Sequence, residues 1–131
     1  MDYEEIIKTM EVKEGFYKNN NFHIVECEGD VYKMRADLTE NSLNPYGFAH
    51  GGLVFGLGDT TMGMLARRTG RKAVTRSANI SYLKPSIGKY ITASAKIIKC
   101  GKKACFLKAE IYNDKDEIVA VMTGDYFFIE D

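Results

Sequence analysis

Along the first 13 residues apolar side chains recur at helical spacing. Ile6, Ile7 and Met10 share one face while Glu4, Glu5 and Lys8 lie elsewhere, which predicts a short amphipathic helix over 2–13 that covers something apolar. Lys18-Asn-Asn-Asn21 reads as a turn. Two strands follow, over 22–28 and 31–38, joined at Glu28-Gly29-Asp30. In the second, Val31, Lys33, Arg35 and Asp37 alternate against Tyr32, Met34, Ala36 and Leu38. A turn-rich stretch from Asn44 to Gly52 then opens into a largely apolar or small segment, Leu53 to about Arg68, that stops near Gly70. After it the period becomes two and stays so, predicting four long strands over 73–83, 89–99, 103–113 and 117–129. Their breaks are Lys84 to Gly88, Gly101-Lys102 and Asn113 to Asp116. Gaps this short predict antiparallel neighbours. A helix with so little polar face must be buried on most sides. The expected fold is therefore α+β, with a curved antiparallel sheet wrapped around one central helix, in a single domain over 1–131.

Composition narrows the class without choosing a function. Of 131 residues 45% are hydrophobic and 27% charged, with a formal net charge of +0. That is the balance of a globular domain with no bias toward nucleic acid or an anionic membrane. The apolar segment is interrupted by Asp59 and falls short of the ~18 residues of a membrane span. The acidic start, Met1-Asp-Tyr-Glu-Glu, lacks the basic-then-apolar pattern of a secretory signal. Three cysteines, Cys27, Cys100 and Cys105, make no disulfide framework. These features together point to the cytoplasm. Without a CxxC pair, and with His23 and His50 far apart in sequence, a metal site is not expected. Phosphate-binding loop, dinucleotide fingerprint and nucleophile elbow are all missing from the sequence.

Chemistry concentrates where the loop meets the central helix. The first amides of that helix, at Gly51 and Gly52, have no intrahelical partner and sit at the positive end of its dipole. A polarised carbonyl or an anion is stabilised there. His50 lies beside that end. Asp59 occupies a helix-interior position that favours an apolar group, where an ionisable side chain is costly without a partner. Asn44, before Pro45, fits an Asx turn as readily as a site residue. Gly56, Gly58 and Gly63 suit close packing of the helix. Gly51 and Asp59 are eight residues apart, ~12 Å along a helix. A general base must come within ~3 Å of the proton it takes, directly or through one water. If both act on one substrate, the site is composite: a two-fold dimer with antiparallel central helices brings Asp59 of one chain to Gly51 of the other.

Asn44-x-x-Gly47-x-x-His50-Gly51-Gly52 followed by Asp59, with Tyr82-Leu83-Lys84-Pro85 and Gly124 further on, resembles the signature of hotdog-fold thioesterases of the phenylacetate-degradation (PaaI) type. The similarity covers roughly residues 20–128. It implies hydrolysis of acyl- or aryl-coenzyme A thioesters without a metal or separate cofactor, coenzyme A being part of the substrate. It also implies assembly as a homodimer at least, commonly a homotetramer built as a dimer of dimers. In such a family the Gly51 N–H would polarise the thioester carbonyl, with Asn44 helping to place the carbonyl or the water and His50 supporting Asn44 and the loop. Asp59 from the partner chain would act as base or nucleophile, and Thr75 would hold the attacking water. Coenzyme A would meet the Gly52 end of the helix and cations such as Arg76, Lys84, Lys102 and Lys103, or the Arg67, Arg68, Arg71, Lys72 cluster, which equally suits a helix C-terminus. Two other readings stand beside this one: a non-catalytic acyl-coenzyme A binding module, and a hotdog dehydratase of 3-hydroxyacyl thioesters.

Overall fold

The computed structural model describes residues 15–129, so the helix expected over 2–13 lies outside the described residues. A short helix α1 (Gly15–Asn19) leads into β1 (Phe22–Glu28) and β2 (Val31–Asp37). The turn expected at 18–21 is thus shorter, Lys18 and Asn19 ending α1, and Asn21 takes a left-handed φ of 59°. The central helix α2 runs from Gly51 to Ala66, tightens into a 3-10 turn over Arg67–Thr69, and stops at Gly70, whose φ of 87° only glycine adopts without strain. Then come β3 (Lys72–Tyr82), β4 (Tyr90–Cys100), β5 (Ala104–Asn113) and β6 (Ile118–Ile129).

All six strands form one antiparallel sheet in the order β1-β2-β4-β5-β6-β3. The β1–β2, β4–β5 and β5–β6 pairs are the hairpins that the short gaps predict. The gap after β3 is different, and corrects the expectation of antiparallel neighbours: β3 pairs with β6, while β4 lies between β2 and β5. Seven residues, 83–89, reach up to ~23 Å when extended. In a sheet curled around a helix that is enough to pass from one strand to a non-neighbour. The connection is fastened on its way, since Leu83 and Lys84 N–H donate to Val119 O and Ala49 N–H donates to Ser86 O. A short gap limits reach, not adjacency.

Alternation along β4 to β6 delivers Ile91, Ala93, Ala95, Leu107, Ala109, Ile111, Met122 and Tyr126 to the concave face, and α2 fills it with Leu57, Met62 and Leu65. The helix meets the sheet at glycine: a Cβ on Gly58 would overlap Met122 Sδ and touch Ile111. Gly58→Ala is therefore expected to cost about 1–3 kcal/mol of stability by overpacking, despite alanine's better helix propensity. Thermal unfolding by circular dichroism should register this as a fall in Tm of about 3–15 °C. An unchanged Tm would mean that the core yields there freely.

β3 departs from the pattern of its neighbours. Of its eleven residues only Ala73 is buried, and beyond β6 its other edge has no strand beside it among the described residues. A long strand bare along one edge and over its outer face, with Ala73, Ala78 and Ile80 turned toward the core, is a template for pairing with another chain.

Candidate active site

Asn44 to His50 forms a closed loop over the start of α2. The Asn44 side-chain oxygen accepts from Tyr46 N–H at 2.9 Å and Phe48 N–H at 3.1 Å, and Asn44 N–H donates to Phe48 O at 2.7 Å. This is an Asx turn, as Asn before Pro favours. No hydrogen bond joins His50 to Asn44 among the described residues. His50 instead caps the helix, its Nδ1 accepting from Gly52 N–H at 2.9 Å. Accepting there leaves the neutral ring's proton on Nε2.

That cap sorts the two glycine amides. Gly52 N–H is taken by His50, whereas Gly51 N–H meets no acceptor among the described residues. The Gly51 carbonyl is fixed by Tyr82 Oη, which donates to it at 2.7 Å. Burial raises the Tyr82 pKa, so the phenol stays a donor. A cavity of about 370 Å³ opens beside Gly51, bounded by Asn44, Phe48, Val54, Tyr82, Lys84 and Pro85. The free amide at the positive end of a sixteen-residue helix thus borders a space of ligand size.

Asp59 lies two turns further along the same helix, half-buried, and does not line that cavity. With α2 unbroken from Gly51 to Ala66, the rise per residue keeps Gly51 and Asp59 ~12 Å apart along the axis. Asp59 turns toward β3, where Thr75 Oγ1 donates to its Oδ1 at 2.7 Å. Tyr126 Oη reaches the same Oδ1 at 2.7 Å and the Asp59 carbonyl at 2.9 Å. Thr75 and Tyr126 face each other across the β3–β6 pair, so one rung of the sheet supplies both donors. Burial and the adjacent Asp59 carboxylate raise the Tyr126 pKa far above the ordinary phenol value.

Sequence reasoning brought Asp59 together with Thr75 and Gly51 together with Asn44, but assigned no part to Tyr126 or to the Tyr82 hydroxyl. Tyr126 looks like one more inward position of an alternating strand. Only the register, opposite Thr75, distinguishes it. Tyr82 ends β3 just before Leu83-Lys84-Pro85, and its link to Gly51 depends on how the chain returns.

The candidate coenzyme A cations do not converge within one chain. Lys84 borders the Gly51 cavity and is paired with Glu117 at 3.0 Å. Arg76, in mid-β3, is paired with Asp125 at 2.9 Å. Lys102 and Lys103 sit in the β4–β5 turn near the far end of α2, where Arg71 donates to the Lys102 carbonyl and Phe128 N–H to the Lys103 carbonyl. Among the described residues no group of three His, Cys, Asp or Glu side chains could hold a metal ion. No helix among them is long and apolar enough to cross a membrane.

Residues 46–120, more than half of the chain, match the family model of the Thioesterase superfamily. Acyl-coenzyme A thioesterase 13 of Mus musculus is 35% identical over 113 residues, covering 83% of this chain and 81% of the mouse protein. The fold is shared with the E. coli PaaI protein from the phenylacetic acid degradation operon, at a TM-score of 0.91 and 24% identity over 98% of this chain and 94% of that one. A hypothetical thioesterase of Streptococcus pneumoniae TIGR4, whose crystal structure contains coenzyme A, aligns with a TM-score of 0.78 and 27% identity over 85% of this chain and 88% of its own. By its match across residues 46–120 and its six-stranded sheet curled around one helix, the chain belongs to the thioesterase superfamily and is a thioester hydrolase with the hotdog fold.

Proposed function

We propose that the protein hydrolyses acyl- or aryl-coenzyme A thioesters at a site shared between two copies of the chain. One observation carries this reading above the others: Gly51, with its uncommitted amide, and Asp59 stand ~12 Å apart along the axis of one continuous helix, and Asp59 does not line the Gly51 cavity. The bare β3 edge, with Thr75 and the half-buried Asp59 beside it, is the surface through which a second copy brings its own Asp59 within reach. An isologous dimer with antiparallel α2 helices repeats the arrangement at two equivalent sites. The full assembly in this reading is a dimer of dimers.

In the reaction the thioester oxygen accepts from Gly51 N–H, strengthened by the helix dipole, and Asn44 and Tyr82 hold the loop and the Gly51 peptide in place. The partner's Asp59 takes one proton of a water as that water's oxygen bonds to the carbonyl carbon, and the developing oxyanion stays on the Gly51 amide. Collapse breaks the C–S bond and releases the acid. The coenzyme A sulfur takes the proton held by Asp59 and leaves as the thiol, which restores the Asp59 carboxylate, and the product acid ionises in water. Direct attack by Asp59, through a transient anhydride, uses the same geometry. The scheme draws only on the chain's own residues and water. Coenzyme A in the structure of the pneumococcal relative supports the substrate class. Lys84, already at the cavity rim, is the cation best placed to meet its phosphates, ahead of Arg76, Lys102 and Lys103, with the Gly52 end of the helix nearby.

A panel of aryl- and alkyl-coenzyme A thioesters, assayed for thiol release, tests the activity. At least one is expected to turn over with kcat/KM on the order of 10⁴ M⁻¹s⁻¹ or more. Tight binding with no thiol released from any of them would identify a binding module. Water added to an enoyl thioester with the C–S bond intact would identify a hydratase.

A further inference from the structure

Asp59 is held by more than the reaction scheme uses. Tyr126 stands on β6 with 0% of its surface exposed, and its hydroxyl touches both the side chain and the main chain of Asp59. Thr75 Oγ1 ends on the same carboxylate oxygen. Both donors therefore converge on Oδ1, and no hydrogen bond among the described residues reaches Oδ2. The ring has been given room: a Cβ on Gly124 would lie 2.7 Å from it. Arg67, close enough to act on the phenol electrostatically, directs its Nε to Ala73 O at 3.0 Å.

We infer that Tyr126 is a positioning residue for the Asp59 carboxylate, anchoring Oδ1 together with Thr75 so that Oδ2 is the oxygen that meets the water. With its single proton shared between Oδ1 and the Asp59 carbonyl, one hydroxyl ties the side-chain torsion to the helix backbone. Thr75 has a single proton, shared between Asp59 Oδ1 and the neighbouring Tyr126 hydroxyl, so it offers a water only lone pairs. The attacking water then donates one hydrogen to Oδ2 and the other to Thr75 Oγ1. Its lone pair is left pointing at the carbonyl carbon, and the Oδ2-bound proton is the one transferred. This assignment rests on the role given to Asp59 above.

Tyr126→Phe keeps the buried ring and removes only the hydroxyl. Expected is a fall in kcat of about 10- to 100-fold, as for a catalytic group displaced by a fraction of an ångström to 1 Å, with KM within about twofold. The same substitution in an Asp59→Asn background should cost nothing further, because the group that Tyr126 orients is already disabled. A tyrosine that merely fills the core would give a lower Tm and equal proportional losses in both backgrounds. That result, or an unchanged kcat in the single variant, would overturn the proposal. Full activity of Asp59→Asn by itself is a separate failure, that of Asp59's assigned role.

Discussion

Asp59→Asn is expected to lower kcat by about 10²- to 10⁴-fold, the range over which a positioned acid–base group accelerates a reaction. Asparagine keeps the shape of the side chain and an oxygen that can accept from Thr75 and Tyr126, so the contacts seen at 2.7 Å to each have a partner in the variant. What it loses is the charge and the capacity to take a proton from water or to attack as a nucleophile. Fold and assembly should therefore persist, since a half-buried charge is replaced by a neutral group that needs less solvation. Thiol-release kinetics beside circular dichroism and sedimentation separate the two effects. Wild-type turnover in a folded, assembled variant would remove Asp59 from the chemistry.

Much of the architecture is legible in the chain because it depends on local periods. The two-residue alternation after residue 72 and the apolar stretch after Gly52 specify strands and a buried helix, and the observed bounds, Lys72–Tyr82 and Gly51–Ala66, differ from the reading by a residue or two. Adjacency is where local reasoning stops. The segment 83–89 resembles a hairpin connection in length, yet it carries the chain past the start of α2 to a strand that does not pair with β3. The spacing of Gly51 and Asp59 needed only the rise of a helix to be read. Tyr126 needed the register that sets it opposite Thr75, and Tyr82 needed the return of β3 to the helix start. The coenzyme A cations are the least legible. A lysine's sequence position does not say which end of a curled sheet it occupies, and Lys84 and Lys102 stand at opposite ends of α2.

His50 has a physical role that its sequence context left open. By capping Gly52 through Nδ1 it consumes the second amide of the helix and leaves the first to a ligand. Asn44 does comparable work one step back, holding two loop amides with one oxygen. Asn44→Ala is thus expected to disable the half of the site that receives the carbonyl, without touching the half built by Asp59, Thr75 and Tyr126.

These two lesions, one in each half, make subunit mixing the most direct measurement of a shared site. Each variant alone carries the same damage in both of its equivalent sites. In a mixed dimer of Asp59→Asn with Asn44→Ala, one site collects both lesions and the other collects neither. With random exchange half of the dimers are mixed and each has one intact site, so activity should recover to about a quarter of the wild-type rate. Recovery on that scale, rising with the fraction of mixed dimers followed by mass spectrometry, is the result expected if Asp59 serves its neighbour's Gly51. Confirmed exchange with activity still at the level of the separate variants would contradict it and return both halves of the chemistry to a single chain.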